Sequence, residues 1–382
     1  MIEDFERLYG TRRGVRVYRA PGRVNLIGEH TDYNLGFVLP IAVELACFVA
    51  AAPSGGSSLR VFSEDHQEAR EWLAGDIGGV SPAGHWSDYV AGVARELVRV
   101  GFSIPPQNLL IRSSVPEGAG LSSSAALEVA CALALLAGRH LEPLELARLC
   151  RRAEVEFVGT PCGIMDQYVA VFGRRQAAIR IDCRSLEHEA VPLPAGSEFL
   201  AVNSMVKHTL AHSAYKQRTE ECAAAVEWLQ REFPEIESLR DISPETLAAV
   251  ADRMPPVIAR RARHVVTENE RVSRFVAACC KGDLQAMGEL LVASHRSLAN
   301  DYEVSCAELN FLADAALTMD GVLGARLTGG GFGGSVVCMM LPEAARRFRE
   351  RMIASYEKQF GLTPAIYDCR PSAGAGEIEA AL

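Results

Sequence analysis

From Trp86 to Val100 apolar residues return at every third or fourth position, and similar spacing runs through Ala125–Leu136 and Pro143–Val158. Side chains at that interval share one face of an α-helix, so helices are expected there, with Pro143 suited to a first helical turn. Around them the texture is different. Val15–Tyr18, Phe37–Val49, Leu59–Phe62, Leu109–Arg112 and Gln176–Asp182 are runs rich in β-branched, aromatic and other apolar residues, which predict strands. Beyond the loop Pro192–Ser197 a strand at Glu198–Val202 gives way to long helical runs at Ser213–Arg231, Pro256–Lys281, Leu284–Asn300 and Ser305–Thr318. Strands return at Val322–Leu327 and Ser335–Met340, before a helix at Pro342–Gln359 and a last strand near Ala365–Cys369. A chain of 382 residues exceeds one ordinary core, so two α/β domains are expected, 1–195 and 196–382.

Composition narrows the class. Hydrophobic residues make up 49% and charged residues 23%, as in ordinary globular proteins. A net charge of −9 with no basic tract argues against general nucleic-acid binding. The eleven cysteines are scattered, with no C-x-x-C pair, which reads as reduced core thiols in a cytoplasmic protein. The longest apolar stretches, Ile41–Pro53 and Ser124–Gly138, are too short to span a bilayer and carry Glu44 and Glu128. Met1 leads directly into charged sequence, with no signal peptide expected.

Four segments carry candidate chemistry. Val115–Ala126, VPEGAGLSSSAA, runs from a strand end through Gly118 and Gly120 into three serines that open an apolar helix. Glycines let backbone approach an oxyanion, and a helix N-terminus offers free N–H groups, so phosphate is a natural occupant; the plainer reading is a serine N-cap after a tight turn. The segment lacks the lysine of a Walker A loop, and Ser123 stands where a dinucleotide fingerprint needs its third glycine. Ala20–Gly36, APGRVNLIGEHTDYNLG, packs Arg23, Glu29, His30, Asp32, Tyr33 and Asn34 between apolar flanks, a density of donors and acceptors suited to a polyhydroxylated ligand. Gly159–Gly173 sets Asp166 among apolar residues, where a carboxylate must be paired or serve chemistry; Glu154 lies twelve residues upstream on the preceding helix. Leu327–Ser335, LTGGGFGGS, has five glycines in six positions, more than a structural turn needs. His208 and His212 have the spacing of a helical metal pair, but no third ligand is apparent.

Together these motifs resemble the galactokinase family of the GHMP (galactokinase, homoserine, mevalonate and phosphomevalonate) kinase superfamily, almost from end to end. GRVNLIGEHTDYN from Gly22 is similar to the family's own signature, VPEGAGLSSSAA to the superfamily's phosphate loop and LTGGGFGGS to its third motif. PCGIMDQ from Pro161, RARHVVTEN from Arg261 and SHRSLANDYEVSC from Ser294 also resemble family segments. The resemblance implies an N-terminal ribosomal-protein-S5-like domain and a ferredoxin-like C-terminal domain, with the active site between them. It implies an ATP-dependent sugar-1-kinase that phosphorylates D-galactose. Asp166 would be the catalytic base and Arg23 its electrostatic partner. Glu29, His30, Thr31, Asp32, Gly163 and Tyr215 would hold the sugar. Gly118, Ala119, Gly120, Leu121, Ser122, Ser123 and Ser124 would cradle the ATP phosphates, with Ser63 and Trp86 lining the nucleotide site. Ser124 and Glu154 would ligate Mg²⁺. The expected partners are small molecules alone, with neither nucleic acid nor membrane, and the protein is expected to be a monomer or weak homo-oligomer.

Two positions depart from the family pattern: Lys207, where arginine is usual, and Ala214, where an acidic residue is common. Lysine keeps the charge but loses the planar fork. Three other readings stand beside the first: a related kinase acting on N-acetylgalactosamine or arabinose, a catalytically silent galactose sensor, and a nicotinamide-dependent oxidoreductase. The intact GLSSSAA and Asp166 weigh against the sensor, and the missing third glycine against the oxidoreductase.

Overall fold

The computed structural model describes residues 1–207 and 211–378, apart from the side chains of Lys207, Ala211 and His212. The His208/His212 pair and the Lys207 side chain therefore lie outside the described residues.

The first half builds a six-stranded sheet in the order Gly376–Ile378, Arg16–Asn25, Pro40–Pro53, Gln107–Ser113, Ser58–Ser63, Glu68–Leu73. Its pairs are antiparallel except Ser58–Ser63 with Gln107–Ser113, which run parallel. The apolar helix Ser123–Leu136 is buried on most of its surface, as a helix hydrophobic all round must be. The expected strand at Val15–Tyr18 continues to Asn25, through Pro21 and Gly22. Those two read as breakers, but a register shift between Pro21 and Arg23 absorbs the proline's missing N–H and re-aims Arg23. The helix expected over Pro143–Val158 is α-helical to Arg152 and then widens into a π-helical turn, Ala153–Val158, which Glu154 helps to open.

The second half has a four-stranded antiparallel sheet ordered Val322–Thr328, Gly333–Met340, Glu198–Lys207, Ala365–Asp368. In chain order these are strands two, three, one and four, with helices after the first and third, which is the split βαβ arrangement of a ferredoxin-like fold. Residues on its strands alternate between two cores. Phe199, Ala201, Val337 and Met339 face the core shared with the first half, while Leu200, Val202, Val336 and Cys338 face the second. This explains why all eight residues of Gly333–Met340 are buried.

The expected boundary near residue 195 falls in the turn between strands His188–Pro192 and Glu198–Lys207. The final strand, Gly376–Ile378, does not stay with residues 196–382 but pairs with Arg16–Asn25 on the first sheet. Helix Pro256–Lys281 joins the halves: Ala262, Val265 and Val266 enter the second core, and Val272, Phe275 and Ala278 the first. Among the described residues no helix is long and apolar enough to cross a membrane.

Helix Leu284–Asn300 lies against strand Val322–Thr328 through facing glycines. A Cβ on Gly288 would sit 2.1 Å from the carbonyl oxygen of Leu323, and one on Gly324 would sit 2.5 Å from that of Gly288. Both obstacles are backbone, so the contact cannot yield cheaply. Gly288→Ala is expected to destabilise the protein by about 1–3 kcal/mol, to be read from the midpoint of a urea melt. An unchanged midpoint would show that the helix can slide.

Candidate active site

Arg23 and Asp166 form the centre. Arg23 Nε and Nη2 donate to Asp166 Oδ1 and Oδ2, each at 3.0 Å, and Nη1 donates to the carbonyl oxygen of Gly120 at 2.6 Å. The two-bonded geometry fixes the carboxylate plane. Asp166 lies in the first turn of helix Met165–Phe172, where backbone N–H groups favour a negative charge. Ser122 donates its hydroxyl to Asp166 Oδ2. Its φ of +60° is a left-handed conformation unfavourable for serine, held at the cap of helix Ser123–Leu136. Asp166 keeps 24% of its side-chain surface exposed against 7% for Arg23, so the carboxylate faces open space.

That space is a pocket of about 300 Å³ whose walls include Glu29, His30, Asp32, Gly163, Asp166 and Tyr215. Glu29 is buried and held from several sides. Its Oε1 accepts from the Gly329 N–H at 2.7 Å and the Thr328 hydroxyl at 3.1 Å, and lies 3.1 Å from Arg326 Nη2. His30 Nδ1 lies 2.9 Å from the Tyr33 hydroxyl, while its buried Nε2 has no hydrogen-bond partner among the described residues. Burial pulls the imidazole down to about 3, so it is neutral. Burial, then the charge of Asp166, pushes Asp32 up to about 6. A Cβ on Gly163 would meet Asp32 Oδ2 at 1.6 Å, so only glycine allows this approach.

A second, larger cavity of about 1020 Å³ adjoins the serine-rich helix start and is lined by Ser63, Trp86, Gly118, Ser123 and Ser124, among others. His66 stacks on Trp86 at 5.1 Å between ring centroids, giving the cavity a flat aromatic wall. Ser124 of this cavity lies beside Glu154, which lines the smaller pocket, so the two spaces adjoin. Burial, followed by the charge of Asp166, pushes Glu154 up to about 7.

Not every expected residue faces a pocket. Thr31 is fully buried, its hydroxyl 2.9 and 2.7 Å from the carbonyl oxygens of Gly28 and Phe37, so it shapes the turn instead of lining the space. Within Gly118–Ser124, the side chains of Ala119 and Leu121 enter the core, and Ser122 turns to Asp166. The Ala119 carbonyl accepts from Ser335 and the Gly120 carbonyl from Arg23, so this stretch of the loop is anchored from behind by the glycine-rich turn and the first strand.

Sequence reasoning passed over Arg326, whose Nη1 also donates to the carbonyls of Asn25 and Leu26. An arginine inside an otherwise apolar strand was the available signal. Glu128 and Gln167 were passed over as well. Gln167 Nε2 donates to Glu128 at 3.0 Å and Glu154 at 2.6 Å, and burial holds Glu128 well above the usual carboxylate range.

A carboxylate gripped by arginine, between a small polar pocket and a cavity at a helix N-terminus, suits transfer of a phosphoryl group to a small polar acceptor. Family signatures agree: the GHMP kinase N-terminal domain matches residues 88–174 and the C-terminal domain residues 275–358. Fold and site thus define a small-molecule kinase of the GHMP class. The Methanococcus jannaschii mevalonate kinase shares this fold at 17% identity, with a TM-score of 0.69. The galactokinase galactose-binding signature matches residues 3–53. A galactokinase of Roseiflexus sp. (strain RS-1) is 45% identical, over 98% of this chain and 96% of that protein. One of Thermotoga maritima is 42% identical, over 94% and 99%. The crystal structure of Lactococcus lactis galactokinase complexed with galactose superposes with a TM-score of 0.94 at 33% identity, over 99% of this chain and 98% of that one. The chain belongs to the galactokinase family.

Asp32 provides a check on the electrostatics. Its folded-state pKa of about 6 exceeds the ordinary 3.8, so the fold favours the protonated form. Its stabilising contribution is complete below about pH 4 and is lost as pH rises through about 6. Asp32→Asn is therefore expected to raise the melting temperature of the ligand-free protein at pH 8 by about 2–4 °C, with the gain shrinking at pH 5. A gain that grew towards low pH would reverse the sign of the burial effect.

Proposed function

We propose that this protein transfers the γ-phosphoryl group of ATP to the anomeric hydroxyl of galactose, giving galactose 1-phosphate and ADP. The observation that carries the mechanism is the Arg23–Asp166 pair, set between the small pocket and the phosphate-loop cavity. The sugar occupies the small pocket. Glu29, His30 and Asp32 bond its hydroxyls, Gly163 leaves room beside Asp32, and Tyr215 closes one side. ATP lies along the larger cavity, its base near Trp86 and Ser63 and its phosphates at Gly118, Ser123 and Ser124.

Asp166 accepts the proton of the anomeric hydroxyl as that oxygen forms its bond to the γ-phosphorus. The bond from the γ-phosphorus to the bridging oxygen breaks, and ADP leaves with the electron pair. Arg23 orients the carboxylate and offsets negative charge on the phosphoryl oxygens. Such transfer depends mainly on position and electrostatics, and the rigid mounting of this pair supplies both.

Ser124 and Glu154 fit a magnesium site. Ser124 lies beside Glu154, whose carboxyl is destabilised by burial and by the charge of Asp166, which a cation would offset. Among the described residues no cluster of three His, Cys, Asp or Glu side chains could hold a metal alone. A hydroxyl and one carboxylate completed by phosphate oxygens and water suit Mg²⁺, which when bound would neutralise phosphate charge. All eleven cysteines are free thiols, which supports a reducing, cytoplasmic setting.

A coupled ADP-release assay over galactose, N-acetylgalactosamine and arabinose, with and without magnesium, tests this reading. Galactose is expected to be the preferred acceptor and chelation to abolish turnover; galactose binding without ADP release would leave only a sensor. Asp166→Asn is expected to lower kcat by roughly 10²–10⁴-fold, and Arg23→Ala to lower it strongly with the fold retained. Near-normal turnover in Asp166→Asn would remove the base assignment.

A further inference from the structure

The loop that carries Glu29, His30 and Asp32 belongs to the first half, yet much of its backbone is held by one helix of the second. Helix Pro256–Lys281 is apolar where it enters each core, but it also buries His264, beside the second-core residues Ala262 and Val265, and Glu268 and Asn269, between the two apolar stretches. His264 and Glu268, four apart, share one face of the helix, and Asn269 lies about 100° further round it. His264 and Glu268 are fully buried and Asn269 is 9% exposed. Three polar side chains in such a place need partners, and the loop backbone supplies them.

His264 Nε2 lies 3.1 Å from the carbonyl oxygen of Glu29, which makes it the donor. Glu268 Oε1 accepts the Gly28 N–H at 2.9 Å. Asn269 Oδ1 accepts the Phe37 N–H at 2.8 Å. The three contacts grip the loop at its entry and at its exit. Each is braced in turn. Ser294 donates to Glu268 at 2.7 Å and Arg271 Nε at 2.6 Å, Ser297 Oγ lies 3.0 Å from His264 Nδ1, and a Cβ on Gly36 would strike Asn269 Oδ1 at 2.3 Å. None of the three lines either pocket.

We propose that His264, Glu268 and Asn269 are positioning residues that preorganise the sugar-side loop, so that affinity for the sugar is set by a helix that does not touch it. This rests on the reading that the loop holds the sugar. It goes beyond that reading in locating the source of the loop's geometry. Backbone fixed in advance lowers the ordering cost of binding, and loosening it should weaken sugar capture without disturbing the nucleotide cavity, which the helix does not line.

The test uses the full chain and steady-state kinetics for both substrates. Asn269→Ala is expected to raise the KM for galactose about tenfold, with the KM for ATP moving by less than about twofold and kcat by less than about threefold. Asn269→Asp, which keeps the acceptor, is expected to recover most of that loss. Asn269 Nδ2 has no hydrogen-bond partner among the described residues, so the acceptor alone is the working part. Asp32→Asn serves as the reference. If it leaves the galactose KM unchanged, the sugar-loop reading fails. If it raises that KM while Asn269→Ala does not, or if both KM values rise together in Asn269→Ala, the positioning proposal fails. Should Asn269→Ala not fold, hydrogen exchange on the ligand-free wild type decides. The Gly28 and Phe37 amides are expected to exchange as slowly as core-strand amides, and fast exchange that slows only with galactose would overturn the proposal.

Discussion

The rest of the structure is arranged around negative charge held away from water. Glu29, Asp32, Glu128, Glu154 and Asp166 gather around one site, and the guanidinium groups that touch this set are Arg23 on Asp166 and Arg326 beside Glu29. Burial first, and then the charge of a neighbouring carboxylate, holds Asp32, Glu154 and Glu128 above their ordinary range. A site of this kind is costly to build and is stable only if each acid has a fixed partner. The arginines provide two of the partners, Gln167 joins two of the acids, and backbone N–H groups provide others. The remaining capacity, the exposed edge of Asp166, faces the pocket.

Holding those groups requires both halves at once. Arg326 comes from the ferredoxin-like sheet yet grips the carbonyls of Asn25 and Leu26 and the carboxylate of Glu29 on the first half. The glycine-rich turn after its strand meets the phosphate loop backbone to backbone: a Cβ on Gly329 would lie 3.3 Å from the Gly120 carbonyl oxygen. Gly331 of the same turn is required by a different neighbour, since a Cβ there would lie 2.3 Å from the Val304 carbonyl oxygen. The sheet behind it has apolar residues on both faces and closes a core on each side, so its edge is a rigid mount for the turn.

Much of this was legible in the chain because the chemistry is concentrated in short contiguous segments. Residues 22–34, 115–126 and 327–335 each carry several functional groups, and local spacing placed the elements flanking the last two within a few residues, while the strand before the first runs on to Asn25. What the sequence concealed are groups that act through tertiary contact. Arg326, Glu268 and Asn269 stand in a strand and a helix whose patterns looked complete without them, and only packing shows what they reach. Helix Met165–Phe172 is short and follows a Pro- and Gly-containing turn, so its period was hidden although it carries Asp166. Strands Glu68–Leu73 and Gly376–Ile378 are edges with mostly exposed residues, lacking the apolar run by which the buried strands announce themselves.

The same physics explains where the backbone is irregular. Ser122 accepts a left-handed φ so that its hydroxyl reaches Asp166 while Ser123 and Ser124 begin a helix facing the other cavity. Glu154 sits at the opening of a π-helical turn, where an ordinary α-helical turn would carry its carboxylate round to a different bearing from Ser124 and Gln167. His30 also holds a positive φ, in the loop that lines the smaller pocket. These are the places where a regular element would aim a functional group wrongly, and each is backed by buried, fully packed neighbours such as Leu121, Cys150 and Leu26. Irregularity of this kind survives only when the surroundings over-determine it. The extensive burial at the junction of the two halves is therefore a condition for the site's geometry as well as a source of stability.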